Sequence, residues 1–370
     1  KRCGGCNLRH IKYEETLKMK QNAVQSLVNK TLKNKIRVEE TIGMDNPYHY
    51  RNKAQYPVGI NKNGEPIIGV FAERTHEVIP MEKCMIQNPK SEEIAKFIIE
   101  LIKEKNISVY NEKTGKGLFR HIVIKIGIKT NEIMCILVIN GKEIPYENEL
   151  LERIKQKFPE IKSIIKNINL KNTNVILGKE NIDLYGNGYI EDILGEYKFK
   201  ISPLSFYQVN PVQAEKLYSK VKEYLGNSNN VLDLYCGTGT IGIYVSDITQ
   251  SVLGIEINKY AVKDANENKK INNINNIEFI CGDSEKVLYK INRKFDSVIV
   301  DPPRSGLGEK VVQQLLKINP KKIVYVSCDP ITLARDINYL SSNYELVNIS
   351  LVDMFPNTHH IECVTLLEKK

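Results

Sequence analysis

A cysteine and an aspartate each follow a short apolar segment in the last quarter of the chain. Cys328 comes just after residues 323–326, in the run Tyr-Val-Ser-Cys-Asp-Pro, and Asp301 directly follows residues 297–300 and opens the run Asp-Pro-Pro-Arg. Apolar runs that stop at polar residues and proline are typical of buried parallel strands whose carboxyl ends open into a cleft. The two strand ends would bring a thiol and an acid together, which indicates covalent chemistry beside a bound cofactor.

A glycine-rich loop, Cys-Gly-Thr-Gly-Thr-Ile-Gly at residues 236–242, follows the first strand of the same region. Its glycines match the dinucleotide pattern G-x-G-x-x-G, and we interpret Gly237 as a cofactor-binding position. Asp233, near the end of that strand, favours another ligand, because a carboxylate repels a pyrophosphate and attracts the cationic amino-acid group of S-adenosylmethionine. Glu256 ends the next strand, where it could accept ribose hydroxyls, and Asp283 follows the third, where an adenine amino group would lie.

Methylation of uracil at C5 is a reaction that needs both a thiol and a base, because C5 is a poor nucleophile. A thiolate that adds to C6 activates C5, and a base must then remove the C5 proton so that the thiol is eliminated. Cys328 fits the first role, and Glu362, at the start of a final apolar strand, fits the second. Taken alone, Cys328 could instead be a small buried apolar residue and Glu362 a surface carboxylate. Methylation of an exocyclic amino group stays open, since the Asp-Pro-Pro turn permits it without a thiol.

The positive charge of the chain is concentrated at its N-terminal end. The 370 residues carry a net charge of +9, and residues 1–37 hold ten Lys or Arg against two Glu. A basic block suits a phosphate backbone, although a solvated helix face has the same composition. Eight scattered cysteines, no apolar stretch of membrane-spanning length and no visible signal peptide predict a reduced, cytoplasmic protein without a membrane partner.

The residue pattern changes near residue 196, which divides the chain into two predicted domains. An α+β domain is predicted over residues 1–195, and a doubly wound α/β domain with a mostly parallel sheet over residues 196–370. The predicted elements of the first are helices over 11–34, 91–105 and 147–157 and hairpins of 55–60 with 66–71 and of 122–128 with 133–139. The predicted strands of the second are 230–234, 251–257, 277–280, 297–300 and 323–326.

Five blocks of sequence together resemble the RNA 5-methyluridine (uracil-C5) methyltransferase family, and the resemblance covers nearly the whole chain. The blocks are Ser-Pro-Leu-Ser-Phe-Tyr-Gln-Val-Asn at 202–210, Leu-Asp-Leu-Tyr-Cys-Gly-Thr-Gly at 232–239, Asp-Pro-Pro-Arg-Ser-Gly at 301–306, Val-Ser-Cys-Asp-Pro-Ile-Thr-Leu-Ala-Arg-Asp at 326–336 and His-Ile-Glu at 360–362. The resemblance implies a class I, Rossmann-like methyltransferase domain preceded by an RNA-binding domain.

The resemblance also assigns roles to individual residues. It implies that Cys328 is the nucleophile, that Glu362 is the proton-abstracting base and that Phe206 lies near the target base. The target uridine must then be flipped out of its stack, so that C6 is open to the thiolate. The positions assigned to S-adenosyl-L-methionine are Gln208, Tyr235, Glu256, Asp283 and Asp301.

Three further cysteines resemble the iron–sulfur ligands of the 23S ribosomal RNA branch of that family. They are Cys3 and Cys6 in a Cys-Gly-Gly-Cys run, and Cys84. A [4Fe–4S] cluster normally takes four thiolates, so these three would be part of the set. A lone C-x-x-C motif is also compatible with zinc or redox chemistry.

The leading hypothesis is therefore methylation of a uridine C5 in 23S ribosomal RNA by a monomer that binds neither DNA nor membranes. The cysteine motif favours ribosomal RNA over tRNA, because the tRNA branch typically lacks it. A non-catalytic RNA-binding factor would share the basic N-terminal block but would not need the thiol and the acid. An NAD-dependent oxidoreductase is compatible with the glycine loop alone.

Overall fold

A computed structural model describes residues 3–32, 36–72 and 75–370, and in it the chain forms two compact units. The first unit comprises Lys1–Cys6, Tyr48–Ile193 and Lys200–Leu204, and the second comprises Asn7–Pro47, Leu194–Phe199 and Ser205–Lys370. The first predicted domain includes residues 7–47, whereas the structure groups them with the second unit. The physical reason is that Val24, Val28 and Leu32 are buried in the second unit's core.

The described residues form the following elements. The α-helices are α1 (Tyr13–Thr31), α2 (Pro89–Glu104), α3 (Glu147–Lys157), α4 (Pro211–Leu225), α5 (Thr240–Tyr244), α6 (Lys259–Ile271), α7 (Ser284–Lys290), α8 (Glu309–Ile318) and α9 (Pro330–Leu340). The strands of the first half of the chain are β1 (Thr41–Ile42), β2 (Lys53–Ile60), β3 (Pro66–Phe71), β4 (Val78–Pro80), β5 (Phe119–Ile126), β6 (Ile133–Ile139), β7 (Ile161–Ile168), β8 (Glu180–Tyr185), β9 (Ile190–Leu194) and β10 (Tyr197–Ile201). The later strands are β11 (Ser228–Leu234), β12 (Thr249–Glu256), β13 (Ile277–Cys281), β14 (Ser297–Val300), β15 (Lys322–Ser327), β16 (Tyr344–Val352) and β17 (Glu362–Lys369).

The second unit is built on an eight-stranded sheet in the order β1-β16-β17-β15-β14-β11-β12-β13. Strands β11 to β15 pair in parallel, whereas β17 runs antiparallel to both of its neighbours, β15 and β16. Strand order reverses at β11, because the chain continues to β12 on one side and returns to β14 on the other. A switch point of this kind opens a crevice at the carboxyl ends of the strands, where ligands bind. The predicted doubly wound α/β fold is confirmed.

The first unit is built on a seven-stranded sheet in the order β4-β3-β2-β5-β6-β7-β8. Both predicted hairpins are confirmed, since β2 pairs with β3 and β5 pairs with β6 in antiparallel register. In the first turn, the Asn61 side chain accepts hydrogen bonds from the amides of Asn63 and Glu65. Helices α2 and α3 cover one face of the sheet and close an apolar core with it. Separately, β9 and β10 form a two-stranded sheet.

The basic helix α1 is tied into the second unit by a buried ion pair. The ammonium of Lys20 lies 2.6 Å from Asp353, and both side chains are almost fully buried. Tyr13 donates a second hydrogen bond to the same carboxylate at 2.8 Å. One lysine of the basic block is therefore structural and not available to a phosphate. The helix spans Tyr13–Thr31, and positions 33 and 34 of the predicted helix lie outside the described residues. Within the described ranges, no helix has the length and apolar character needed to span a membrane.

Replacing Lys20 with alanine should destabilise the second unit strongly, because it leaves the Asp353 carboxylate buried without its cation. We expect the free energy of unfolding, measured by urea titration, to fall by about 3–5 kcal/mol. The matched control is Lys18→Ala on the same helix, whose ammonium pairs with Glu15 in solvent. That change should cost less than about 1 kcal/mol. Equal losses in the two variants would show that the buried pair does not stabilise the fold.

Candidate active site

The register of β15 and β17 brings the predicted nucleophile and the predicted base together. Ser327 pairs with Cys363 in the antiparallel ladder, so Cys328, the next residue, follows β15 where Glu362 begins β17. Cys328 is partly exposed and Glu362 is 9% exposed. Burial raises the pKa of the Cys328 thiol, and the charge of Glu362 raises it further. The two groups are therefore close neighbours in one partly desolvated site.

Asp301 joins this pair from the end of β14. Burial raises the pKa of Glu362 well above its ordinary value, and the neighbouring Asp301 raises it further. Burial also raises the pKa of Asp301 to about 7. Two carboxyl groups in one desolvated site resist ionising together, because each charge disfavours the other. The site consequently holds protons at neutral pH that a reaction could move.

Arg304, which is not among the predicted site residues, is the cation of this cluster. Its guanidinium hydrogen-bonds Cys328, and its charge lowers the pKa of both Cys328 and Glu362 against the effect of burial. Its position is fixed by a contact with His360 at 3.1 Å and by Thr332, whose hydroxyl donates to the Arg304 carbonyl at 3.2 Å. Its position in the sequence could have indicated this place in the site, because Arg304 directly follows Asp-Pro-Pro at the end of a predicted strand.

Cys328 lines a cavity of about 510 Å³ that also contacts helix α1. Arg304 and Lys30 lie on its walls, together with His359 and His360. A volume of this size is within the range of pockets that enclose small ligands. The nucleophile is therefore reachable by a molecule of nucleotide size, and the cationic groups beside it suit a phosphate.

The turn after β11 has the strained backbone that a close cofactor contact needs. Tyr235 is a non-glycine residue with φ of 63°, in the left-handed region that most side chains avoid. Gly239 has φ of 78°, and a Cβ there would lie 2.5 Å from the Phe279 ring. By contrast, a Cβ on Gly237 would meet no atom within 4 Å, so the backbone there faces open space. The loop thus exposes backbone to a ligand, as the predicted role of Gly237 requires.

Glu256 ties this loop to the end of β12. Its carboxylate accepts one hydrogen bond from the Gly237 amide at 3.1 Å and another from the Asn258 amide at 2.7 Å. Each carboxylate oxygen can accept more than one hydrogen bond, so both keep capacity for a ribose hydroxyl. The arrangement fits the role predicted for Glu256.

Gln208, Asp301 and Phe206 also lie around the end of β11. The side chain of Gln208 hydrogen-bonds the hydroxyl of Tyr218, whose pKa is raised by burial and by the charge of Asp301. Tyr218 is in turn 3.0 Å from Thr240 in the glycine loop. The Phe206 carbonyl accepts a hydrogen bond of 3.4 Å from Thr238, while its side chain is 62% exposed. The structure thus gathers these predicted residues beside the loop, with the Phe206 ring largely open to solvent.

Asp283 follows β13 and caps helix α7. Its carboxylate accepts a hydrogen bond from the Glu285 amide at 3.0 Å. The pKa of Tyr235 is raised to about 12, chiefly by burial and then by the charges of Glu285 and Asp283. Asp283 and Tyr235 are therefore neighbours, and Asp283 has a structural role in addition to any ligand contact.

Asp233 is placed differently from the expectation of an open cleft carboxylate. It is 0% exposed, and neither carboxylate oxygen has a hydrogen-bond partner of ordinary geometry among the described residues. Burial raises its pKa to about 8, with a further contribution from the charge of Asp301, while the nearby Gly242 amide acts in the opposite direction. It lies under the glycine loop, 3.0 Å from where a Cβ of Gly242 would be. The Asp233 carboxylate therefore lies beneath the loop without direct access to solvent.

Cys3, Cys6 and Cys84 all belong to the first unit, and Cys6 and Cys84 are close enough to interact electrostatically. The charge of Cys6 contributes to raising the pKa of Cys84, for which burial is the largest cause. The amides of Ile86 and Gln87 hydrogen-bond the Cys84 sulfur and lower that pKa, which suits a thiolate. In the part of the chain that the structure describes, however, no group of three or more His, Cys, Asp or Glu side chains is arranged to hold a metal ion.

The family of this chain follows from its similarity to known proteins. The model of the tRNA (uracil-5-)-methyltransferase family matches residues 12–370. The chain belongs to this family. The predicted family is confirmed, and the chain is an RNA methyltransferase with the fold of S-adenosylmethionine-dependent enzymes. The family match leaves no support for an oxidoreductase.

Relatives extend over the whole chain. An uncharacterised RNA methyltransferase of Caldanaerobacter subterraneus subsp. tengcongensis is 46% identical over 374 residues, which cover 100% of this chain and 82% of that protein. One of Clostridium acetobutylicum is 47% identical over 378 residues, with the same coverage. Among solved structures, the Pyrococcus abyssi tRNA (uracil-54, C5)-methyltransferase in complex with S-adenosyl-L-homocysteine is similar with a TM-score of 0.84 and 32% identity, over 98% of this chain and 85% of that one.

Replacing Arg304 with methionine should make the Cys328 thiol less reactive at a given pH. The guanidinium lowers the pKa of the thiol, so its loss raises that pKa and shrinks the thiolate fraction, by about tenfold when the pKa rises by one. The measurement is the pH profile of iodoacetamide alkylation, read by mass spectrometry on the peptide that contains Cys328. We expect the profile to move to higher pH.

The exposed thiol of Cys281 serves as an internal reference in the same digest. The control variant is Arg293→Met, since Arg293 pairs with Glu278 on the surface. An unshifted Cys328 profile in Arg304→Met would mean that the guanidinium does not act on the thiol.

Proposed function

We propose that this enzyme methylates C5 of a uridine in 23S ribosomal RNA through a covalent bond between Cys328 and C6 of the base. The observation that carries the proposal is that Cys328 and Arg304 line one ligand-sized cavity and that Glu362 lies beside Cys328. A nucleophile, a base and a cation that favours the thiolate are the groups that this chemistry needs. We expect the chain to act as a monomer.

The reaction follows from the ionisation of these groups. The Cys328 thiolate adds to C6, and the electron pair of the C5–C6 bond moves toward C5 and O4. Arg304 favours the thiolate that starts this step. S-adenosylmethionine, when bound, would supply the methyl group to C5 as an electrophile and would leave as S-adenosylhomocysteine. Glu362 then takes the C5 proton, the C5–C6 double bond re-forms, and the Cys328–C6 bond breaks to release the thiolate.

The raised pKa of Glu362 suits a base for a carbon-bound proton. Burial and Asp301 make the ionised carboxylate a stronger base than one in water, at the expense of the fraction that is ionised at neutral pH. Arg304 limits that loss by favouring the ionised form. The folded-state pKa values of both Glu362 and Cys328 are raised, so the working forms of both groups become more populated as pH rises.

The cofactor would be held by the residues around the end of β11. The open backbone at Gly237 and the carboxylate of Glu256 would contact the ribose side. The other proposed positions, all in the second unit, are Gln208, Tyr235, Asp283 and Asp301. The solved relative with S-adenosyl-L-homocysteine supports this choice of ligand.

Phe206 is proposed to receive the flipped uridine. Its ring is 62% exposed although its backbone is tied to the glycine loop by Thr238. An exposed aromatic face on a fixed backbone is a suitable stacking surface for an unstacked base.

The choice of RNA rests on two observations that favour different substrates. The Cys3, Cys6 and Cys84 motif favours 23S ribosomal RNA. The similarity to an archaeal tRNA (uracil-54, C5)-methyltransferase favours a tRNA uridine as the second candidate. We propose ribosomal RNA as the substrate because of this cysteine motif.

Incubation with labelled S-adenosylmethionine should place the methyl group in 23S ribosomal RNA and not in tRNA. Both RNAs should be taken from a strain that lacks the enzyme, so that the target uridine is unmodified. The product is mapped as 5-methyluridine by mass spectrometry of nuclease fragments. Label in tRNA alone would overturn the ribosomal assignment, while label in neither would overturn the proposed activity.

Cys328→Ala should abolish covalent capture of RNA that contains 5-fluorouridine, because no C6 adduct can form without the thiol. Glu362→Gln should still form the adduct but should lose at least about 100-fold in turnover on ordinary RNA, since the C5 proton has no base. Adduct is read as a slowly migrating band on a denaturing gel. Cys281→Ala, which removes an exposed thiol, is the control and should behave as wild type. Capture by Cys328→Ala would show that another group is the nucleophile.

We also propose that Cys3, Cys6 and Cys84 ligate a [4Fe–4S] cluster together with a fourth ligand outside these three. Burial raises the pKa of the free Cys84 thiol, whereas the hydrogen bonds from the Ile86 and Gln87 amides act in the opposite direction and would stabilise a metal-bound thiolate. Anaerobic protein should contain iron and acid-labile sulfide and absorb in the visible range, and Cys84→Ser should lose both. Zinc in place of iron would overturn the cluster.

A further inference from the structure

His121 of β5 is a buried polar side chain without any hydrogen bond to the described residues. It is 3% exposed, and neither ring nitrogen has a partner there. Leaving a buried donor or acceptor unpaired destabilises the fold, so native proteins rarely keep such groups without a reason. A ligand that pairs with the imidazole is one such reason.

The imidazole lies on the wall of a cavity of about 420 Å³ within the first unit. Aromatic rings surround it: the Phe71 ring lies 6.1 Å from His121 and 5.6 Å from His76, edge to face in both cases. Glu112 and Val175 also line the cavity. The side chain of Val175 is 63% exposed, which leaves an apolar surface at the rim.

The loop that forms one wall, residues 169–178, is held in place by buried polar groups. Arg120 donates to the carbonyls of Asn169 and Lys171 at 2.8 and 2.7 Å. The Asn169 amide donates to the carbonyls of Val175 and Ile176 at 2.7 and 3.0 Å. The cavity is therefore a preformed feature of the fold, which lowers the entropic cost of binding.

The chemistry of the cavity selects an uncharged, flat ligand that hydrogen-bonds. Burial, and then the charge of Arg120, lowers the pKa of His121 to about 4, so the ring is neutral near pH 7 and offers one donor and one acceptor. The Glu112 carboxylate disfavours an anion. Arg120 cannot supply a counter-charge freely, because it lies over the Tyr110 ring at 4.2 Å and 3.5 Å from Glu112.

A nucleobase matches these requirements. Its faces stack on aromatic side chains, and its edge carries both donors and acceptors. A second cavity of about 940 Å³ shares Phe71, His76 and Glu112 with the first, and Lys62 and Lys113 lie on its walls. Those ammonium groups could accompany the phosphates on either side of the base.

We propose that the cavity at His121 binds an unpaired nucleobase of the RNA substrate, at a nucleotide other than the one that is methylated. The proposal rests on RNA being the substrate and is independent of the choice between ribosomal RNA and tRNA. The site adds affinity and selects the sequence or shape of the RNA, while Cys328 and Glu362 perform the chemistry.

Replacing His121 with phenylalanine separates this role from a structural one. The variant keeps a ring of similar size and removes the unpaired nitrogens, so thermal stability should stay equal or rise. RNA affinity, in contrast, should fall about 5- to 30-fold, the equivalent of one lost hydrogen bond to a buried group. Turnover at saturating RNA and the Kd for S-adenosylmethionine should stay within about twofold of wild type, because the chemistry is performed elsewhere. A residue that only supports the fold would not give lower RNA affinity together with unchanged or higher stability.

A second pair of variants covers the case in which His121→Phe does not fold. Asn174→Ala removes an exposed amide from the cavity wall and should weaken RNA binding severalfold. Asn172→Ala changes an exposed amide of the same loop that does not line the cavity and should have no effect. Equal RNA affinities for these two variants would overturn the proposal.

Abasic substitution of the RNA tests for the bound base directly. The probe is the RNA fragment that yields 5-methyluridine with wild-type enzyme or, if none does, the RNA that the wild type binds most tightly. One unpaired position should lower wild-type affinity when it is made abasic, and the same change should have little further effect on His121→Phe. If every abasic position weakens both proteins equally, no base occupies the cavity. If the enzyme binds the RNA but does not methylate it, the proposed function is overturned. The effect of abasic positions on RNA affinity would still test whether a base occupies the cavity.

Discussion

The antiparallel pairing of β17 between β15 and β16 holds the active site together. This strand runs opposite to both neighbours, and its first residue is therefore delivered to the edge at which the parallel strands end. A parallel strand in that position would have delivered its last residue there and Glu362 at the opposite edge. Because the backbone register is set by a full ladder of hydrogen bonds, Glu362 and Cys328 are held together without a flexible loop between them.

Burial at this edge has opposing effects on the reacting groups. It raises the pKa values of Cys328, Asp301 and Glu362, which makes each ionised form more reactive and less abundant. Arg304 opposes that shift for the thiol and for Glu362 and is fixed by His360 and Thr332. The site thus combines desolvation with one positioned cation, a common way of tuning nucleophiles and bases near neutral pH.

The two units use unpaired polar groups differently. In the second unit, Asp233 is enclosed beneath the glycine loop, where it has no solvent route to a ligand. In the first unit, His121 borders a preformed cavity with aromatic walls. His121 differs from Asp233 in that its side chain lies on the wall of this cavity. This position is the basis of the binding site proposed at His121.

Much of the fold and of the candidate site could be predicted from the amino-acid sequence. The predictable features are the alternation of strands and helices, the hairpins of the first unit, and the motifs that carry the thiol, the acids and the glycine loop. These signals are local, because apolar periodicity, turn residues and short motifs are recognised over a few positions. The three-dimensional packing was needed to establish that α1 lies in the core of the second unit, that Asp233 is enclosed, that Arg304 contacts Cys328 and that His121 is buried without a partner among the described residues. Each of these depends on contacts between residues far apart in the chain, and the energy of an ionisable or polar side chain is set by which neighbours surround it and how little water remains.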